Sequence, residues 1–232
     1  SAEIEADGSF TVVVKDLKME TEYYYTSYVS QVGSEYGEVK KFTTSSADMS
    51  VSALNITQTT VTFTGQVSRY AADKDIEYGV LYSTNENLKI GSNGCKSKSL
   101  TDYFDADGAY TIKVDGLMND TKYYYCWYAR QGSEYKYGQV QDFTTSSVSV
   151  NLSVEPITQT TATFKGNYEQ LDGEGFEIGV LYSTASSDLT SNSAKKIILS
   201  NKNFSHKISG LQYNTTYYYC YYVGQKGKYT YG

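Results

Sequence analysis

The sequence repeats itself at intervals of about one hundred residues, and this repeat constrains the fold more than any other feature. Residues 42–46 (Phe-Thr-Thr-Ser-Ser) recur as residues 143–147, displaced by 101 positions. The pattern Leu-x-x-x-Thr-x-Tyr-Tyr-Tyr occurs three times, beginning at Leu17, Leu117 and Leu211. This period is the length of a small domain, so the chain is predicted to be a series of similar domains.

The phase of the repeat divides the chain into three units. Residues 1–44, the first unit, match only the C-terminal half of a domain; residues 45–145, the second unit, make a complete domain. Residues 146–232, the third unit, are predicted to form a domain that lacks its last strand. Both ends therefore fall inside domains, and two explanations stay open: a piece of a longer array, or open halves completed by neighbouring chains.

Charge and composition exclude several classes of function. The chain has 20 Lys and Arg against 26 Asp and Glu, a net charge of −6, and no basic cluster, so we expect no nucleic-acid partner. No apolar run reaches the length of a membrane span, so we expect no membrane insertion in this segment. One His and three Cys without ligand spacing predict neither a catalytic site nor a metal or other cofactor.

The local pattern is that of β-strands. Apolar and polar residues alternate with period two, Thr, Val and Tyr are abundant, and no segment keeps a helical period. In the second unit the predicted strands lie near residues 49–55, 59–67, 75–83, 109–115, 121–130 and 137–144. We therefore expect an all-β protein in which each complete unit is a sandwich of two antiparallel sheets.

The segment Leu117-x-x-x-Thr121-x-Tyr123 resembles the tyrosine corner of fibronectin type III domains. The chain is similar to the tandem fibronectin type III-like repeats, of immunoglobulin-like architecture, in surface and secreted proteins of Bacteroidetes-type bacteria. The resemblance implies that a tyrosine hydroxyl in each unit ties strand F to nearby backbone. It also implies an extracellular or cell-surface location. The corner tyrosines are Tyr23, Tyr123 and Tyr217.

The chain departs from this family at one core position. Gly65 and Gly166 stand in the inward slot of strand B that the family fills with Trp. We expect large inward residues of strand F to fill the space instead, namely Tyr125, Trp127, Tyr219 and Tyr221.

The chain holds 26 tyrosines, and strand alternation divides those of strand F into an inward and an outward set. The outward set has two interpretations: cross-strand pairs that stabilise the sheet, or a face that binds protein or glycan. Either interpretation is compatible with packing between units or chains. The candidate binding or assembly face comprises Tyr124, Tyr128, Tyr135, Tyr137, Tyr218, Tyr222 and Tyr229.

Three other features invite a chemical interpretation. Cys126 and Cys220 occupy equivalent outward positions in different units, so we expect free thiols, with intermolecular pairing as the alternative; Cys95 could reach Cys126 only if its loop folds over the sheet. His206 is predicted to be packed or at the rim of the core. Residues 105–108 (Asp-Ala-Asp-Gly) resemble the start of a calcium loop but are predicted to be a hairpin turn.

These observations favour a non-enzymatic function. We expect a structural or adhesive array in an extracellular fibre, stalk or cell-surface protein, whose partners are neighbouring repeats and other copies of the chain or surface proteins. The alternative is a module that binds a glycan or a protein through its outward tyrosines. Assembly by strand complementation is a third possibility.

Overall fold

The computed structural model describes residues 5–30, 33–68, 76–191 and 193–232. It is built from antiparallel strands, with a single 3₁₀ turn among the described residues. The predicted all-β class is therefore confirmed.

The first unit contributes two small antiparallel pairs. β1 pairs with β4, so that Tyr23 lies opposite Phe42, and β2 pairs with β3 as a hairpin. Its strands are β1 (Glu22–Tyr25), β2 (Tyr28–Ser30), β3 (Ser34–Tyr36) and β4 (Lys40–Thr43).

The second unit is a sandwich of a three-stranded and a larger sheet. One sheet has the order β5-β6-β9, and the other has the order β11-β10-β7-β8, with β12 also paired to β10. Its strands are β5 (Ser52–Leu54), β6 (Val61–Gln66), β7 (Ile76–Ser83), β8 (Lys96–Ser99), β9 (Ala109–Val114), β10 (Lys122–Gln131), β11 (Glu134–Tyr137) and β12 (Gln141–Thr144).

The third unit repeats this arrangement without a counterpart of β12 among the described residues. One sheet has the order β13-β14-β17 and the other β16-β15-β18-β19, and the 3₁₀ turn Ser186–Thr190 lies between β15 and β16. Its strands are β13 (Val150–Ile157), β14 (Thr161–Tyr168), β15 (Phe176–Ser183), β16 (Lys195–Ile198), β17 (Asn203–Ser209), β18 (Tyr218–Gln225) and β19 (Lys228–Tyr231).

The core of each sandwich follows from strand alternation. In the second unit Val61 and Phe63 are fully buried against Val80, Ile112 and other inward residues. The third unit has an equivalent core that contains Phe164 and Val180. Alternation predicts these positions because successive side chains of a strand point to opposite faces of its sheet.

The slot left by the missing Trp is filled from a different strand than predicted. A Cβ atom on Gly65 would lie 2.0 Å from the Ser50 carbonyl oxygen and 2.8 Å from the Tyr110 hydroxyl. Tyr110 lies opposite Gly65 on β9 and donates its hydroxyl to the Ser50 carbonyl at 2.9 Å. The prediction that strand F (β10) fills this space was therefore wrong, because Tyr110, the cross-strand neighbour on β9, is closer.

Two further differences concern strands of the larger sheet. β8 was not predicted, because its Lys-Ser-Lys-Ser sequence has no apolar alternation; lysines of this kind protect an exposed sheet edge. The predicted strand 137–144 is two strands, β11 and β12. Gly138 separates them and packs against the Trp127 indole, where a Cβ atom would lie 2.2 Å from Nε1.

The ends of each sandwich carry different loops. The turn before β6 and the corner between β9 and β10 lie at one end, because Val61 pairs with Val114. The hairpin between β10 and β11 lies at the opposite end of β10. A unit can therefore contact one neighbour through its corner and another through its hairpin.

Candidate functional site at the junctions between units

A tyrosine hydroxyl closes the corner before strand F in every unit. The Tyr123 hydroxyl accepts a hydrogen bond from the Met118 N–H at 3.0 Å. The Tyr23 hydroxyl accepts from the Lys18 N–H at 2.8 Å, and the Tyr217 hydroxyl accepts from Gln212 N–H at 3.1 Å. The structure thus places all three predicted corner tyrosines in the same geometry, which gives each corner the same backbone shape.

Each of the first two corners receives a glutamine side chain from the following unit. At the first junction, the Gln131 side chain accepts from the Met19 N–H and donates to the Leu17 carbonyl, both at 2.9 Å. The Lys136 ammonium also pairs with the Glu20 carboxylate. Since the amide of Gln131 both accepts and donates, it fits a backbone N–H and a carbonyl at once.

The second junction repeats this contact in a more buried form. The Gln225 side chain, 2% exposed, accepts from the Asn119 N–H at 2.8 Å and donates to the Leu117 carbonyl at 3.4 Å. Lys226 donates to the Gly116 carbonyl at 2.8 Å. The contact of a strand F glutamine with the preceding tyrosine corner is hereafter called the glutamine clamp.

A second polar contact lies beside the clamp at this junction. Gln58, 7% exposed, donates to a Glu169 carboxylate oxygen at 2.9 Å and accepts from the Asp172 N–H at 2.6 Å. The hydroxyls of Thr57 and Thr59 donate to the side chain and to the carbonyl of Asp172, respectively. The turn before β6 is therefore bound to the loop between β14 and β15.

The linker between these units is held by the second unit. The Ser146 N–H donates to the Thr57 carbonyl at 3.0 Å, and the Ser146 carbonyl accepts from the Asp120 N–H at 3.2 Å. The buried side chains whose hydrogen bonds cross the junction are those of Gln225 and Gln58. Bending of the junction would break these bonds, and for this reason the junction resists bending.

Gln131 and Gln225 were not among the predicted functional residues. A signal was present, because a glutamine follows the corner tyrosine by eight residues in every unit, at positions 31, 131 and 225. Its contact with another unit could not be inferred, since strand alternation describes a single sheet and not the packing of one domain on the next.

The predicted tyrosine face is only partly accessible. Tyr135, Tyr218 and Tyr229 are exposed by 37%, 46% and 45%, and Tyr124 and Tyr137 are half-buried. Tyr135 and Tyr137 stack with ring centroids 6.0 Å apart and 6° between their planes. The binding role of these five residues stays a prediction.

Tyr128 and Tyr222 are not available on this face. Both are buried, because the segments between β7 and β8 and between β15 and β16 fold over the outside of their sheets. In the second unit Leu88 of this segment packs with Leu81, Cys126 and Tyr128; in the third unit Leu189 packs near Tyr222. The Tyr128 hydroxyl donates to Glu77 at 2.8 Å. These two tyrosines belong to a small outer core and not to an exposed surface.

The three cysteines are free. Cys126 is fully buried and Cys220 is 9% exposed, so the intermolecular pairing considered for them is not accessible in the folded chain. The Cys95 loop does fold over the sheet, and Cys95 packs against the outer cluster that contains Cys126, but both thiols are free.

The remaining chemical candidates have structural roles or are exposed. The Asp105 carboxylate accepts from the N–H groups of Asp107 and Ala109, and Gly108 has φ 80°, so residues 105–108 form a hairpin turn. His206 is exposed at the sheet position opposite Phe164. Within the described ranges, no three His, Cys, Asp or Glu residues group together as metal ligands. Nor do these ranges hold a helix with the length and apolarity of a membrane span.

The geometry defines a class of fold. Each sandwich combines a sheet of strands A, B and E (β5, β6 and β9, or β13, β14 and β17) with a sheet of strands C′, C, F and G (β8, β7, β10 and β11, or β16, β15, β18 and β19). A tyrosine corner precedes strand F in both. The chain consists of fibronectin type III-like modules in tandem.

Comparisons with known proteins give structural neighbours only. No family model and no curated protein matches the sequence. The FN1–FN3 domains of chicken contactin (CNTN1) are similar at 16% identity, covering 92% of this chain and 75% of theirs, with a TM-score of 0.31. A segment of two fibronectin type III domains from chicken tenascin is similar at 14% identity, covering 80% and 97%, with a TM-score of 0.38. The sensor domain of the anti-sigma factor RsgI4 from Pseudobacteroides cellulosolvens is 17% identical, covering 48% and 99%, with a TM-score of 0.34.

Proposed function

We propose that this chain is a non-enzymatic structural segment whose modules are joined stiffly end to end in an extracellular fibre, stalk or cell-surface protein. The observation that carries the proposal is the glutamine clamp, which occurs at both junctions with the same donor and acceptor pattern. A chain of independent modules would have no need for a buried side chain that recognises its neighbour.

The positions of the contacts support a linear arrangement. Each clamp joins the hairpin end of one unit to the corner end of the preceding one, and these ends are opposite in a module. The second junction adds the contacts of Gln58 with Glu169 and Asp172. A series built in this way transmits force and orientation along its length.

Residual dipolar couplings on the full chain test the stiffness of the second junction. We expect one alignment tensor to describe the second and third units together, because a stiff junction holds them in one orientation. Gln225→Ala should give each unit its own tensor while leaving the fit within each unit unchanged. Gln139→Ala, at an exposed position outside the junction, is the matched control. Separate tensors in the unmodified chain would contradict the proposal.

The second candidate function is recognition of a glycan or protein by exposed tyrosines. The parallel pair of Tyr135 and Tyr137 supports it, because stacked phenol rings form a flat surface of the kind that packs against sugars or apolar side chains. The test uses the exposed residues Tyr135, Tyr218 and Tyr229, whose replacement by Ser should leave the fold intact. Loss of binding on a glycan array with unchanged unfolding midpoints would support this function. A chain that gives no glycan signal at all would count against its glycan form.

A further inference from the structure

Three consecutive residues of the second corner, Leu117, Met118 and Asn119, form the surface that receives the third unit. The Leu117 carbonyl and the Asn119 N–H are the two backbone groups that the glutamine clamp uses. The other four backbone groups of these residues are hydrogen-bonded within the second unit. The Leu117 N–H donates to the Thr59 carbonyl at 2.9 Å, and the Asn119 carbonyl accepts from the Thr121 hydroxyl at 2.7 Å.

Met118, the middle residue, is held at both of its backbone groups by side chains of the second unit. Its N–H donates to the Tyr123 hydroxyl at 3.0 Å, and its carbonyl accepts from the Thr145 hydroxyl at 2.5 Å. Thr145 is 2% exposed. The Met118 N–H shares a peptide plane with the Leu117 carbonyl, and the Met118 carbonyl shares one with the Asn119 N–H. Because peptide planes are rigid, the two bonds of Met118 fix the directions of both groups that the clamp uses.

The first corner is built in the same way. The Lys18 N–H donates to the Tyr23 hydroxyl at 2.8 Å, and the Lys18 carbonyl accepts from the Thr44 hydroxyl at 2.5 Å. Thr44 and Thr145 are both the second threonine of the repeated Phe-Thr-Thr-Ser-Ser segment. This repeated segment therefore supplies the same hydroxyl to the same place at both junctions.

We propose that Thr145 is a positioning residue for the glutamine clamp: it holds the peptide plane that carries the Asn119 N–H and thereby determines how firmly the third unit docks. The hydrogen bonds of its hydroxyl lie within the second unit, so it acts on the junction through the corner. A receptor that is already ordered loses less conformational freedom on binding. The inference deepens the proposed function and rests on it, and it gives Thr44 the same role at the first junction.

Hydrogen exchange of the Asp172 amide in the full chain tests this inference. The Asp172 N–H belongs to the third unit and donates to the Gln58 side chain at 2.6 Å, so it reports opening of the junction at a bond separate from the clamp. Its exchange rate is proportional to the fraction of molecules in which the junction is open. Thr145→Val keeps the shape of the side chain and removes the hydroxyl, and it should raise the Asp172 rate about 3- to 10-fold. Thr144→Val, at the exposed neighbouring position, is the matched control and should leave the rate unchanged.

A double variant separates positioning from a general loss of stability. In a chain that already carries Gln225→Ala, Thr145→Val should add almost nothing to the Asp172 rate, because no clamp is left to position. An equal rise with and without Gln225 would overturn the inference, as would an unchanged rate in Thr145→Val or an unprotected Asp172 amide in the unmodified chain. If Thr145→Val does not fold, Tyr123→Phe takes its place with the same expected results, because it releases the other peptide plane held at Met118.

Failure of this inference and failure of the proposed function give different results. Separate alignment tensors in the unmodified chain contradict stiffness alone, since the clamp can still close in a junction that pivots. Equal Asp172 rates in the unmodified chain and in Thr145→Val contradict positioning alone, since a stiff junction does not require the Thr145 hydroxyl.

Discussion

Replacing Gln225 with Ala should uncouple the second and third units. The substitution removes a side chain that is 2% exposed and leaves the Asn119 N–H and the Leu117 carbonyl without partners in a buried place. An unpaired buried polar group costs about 1–3 kcal/mol. The junction can open and rehydrate both groups, so the total loss cannot exceed the coupling free energy between the units. We expect a loss of about 2 kcal/mol in the stability of the third unit.

Two optical probes separate the units in one experiment. Trp127 is the only tryptophan and lies in the second unit, so its fluorescence follows that unit alone, whereas circular dichroism follows all strands. In the unmodified chain we expect the two signals to change together in urea. In Gln225→Ala the circular dichroism transition should begin at lower urea concentration than the fluorescence transition. A loss of about 2 kcal/mol corresponds to a fall of about 8–16 °C in melting temperature for a unit of this size.

The outcome that would refute this reasoning is specific. If Gln225→Ala moved both transitions by no more than Gln139→Ala, an exposed control, the clamp would contribute nothing to coupling. Gln225→Glu adds a second check, because its carboxylate can accept from the Asn119 N–H but cannot donate to the Leu117 carbonyl. It should destabilise the junction at neutral pH and do so less in acid, where a protonated carboxyl regains a donor.

Three further predictions concern single modules. Gly65→Ala should destabilise the second unit by about 3 kcal/mol or more in urea unfolding, because the new Cβ would lie 2.0 Å from the Ser50 carbonyl oxygen; an unchanged midpoint would contradict this packing. Tyr123→Phe should cost about 1–2 kcal/mol by leaving the Met118 N–H without its acceptor, and a null effect by the same assay would argue against the corner. Burial raises the pKa of the Cys126 thiol to about 11. Iodoacetamide at pH 8 should therefore alkylate Cys126 at least about 100-fold more slowly in the folded chain than in urea, as measured by peptide mass spectrometry. Equal rates would show that the thiol is accessible in the folded chain.

Strand alternation predicted the sandwich core because the rule is local. Phe63 and Ile112 face inward for the same reason that Lys113 faces outward, and no knowledge of the partner sheet is needed. The same rule assigned Tyr128 and Tyr222 to the outer face of their sheet. It could not show that a loop from elsewhere in the module covers that face, so their burial was missed.

The candidate site was predictable in part. The three corner tyrosines were recognisable from a motif of seven residues, since the hydroxyl bonds to backbone five positions earlier in the chain. The glutamine clamp joins residues more than one hundred positions apart, such as Gln225 and Asn119, and no local pattern indicates such a contact.

The sequence by itself determined that the chain is a series of similar β modules, because repeat length, strand period and corner motif are all written within short windows. Only the tertiary structure decided how neighbouring modules contact each other. A side-chain amide withdrawn from water needs both a donor and an acceptor at fixed distance. Only the folded corners of neighbouring units supply that pair to the half-buried Gln131 and the buried Gln225. The tertiary structure also decided which of the outward tyrosines are buried and which are exposed, because the loop between strands C and C′ covers some of these rings and leaves the others in solvent.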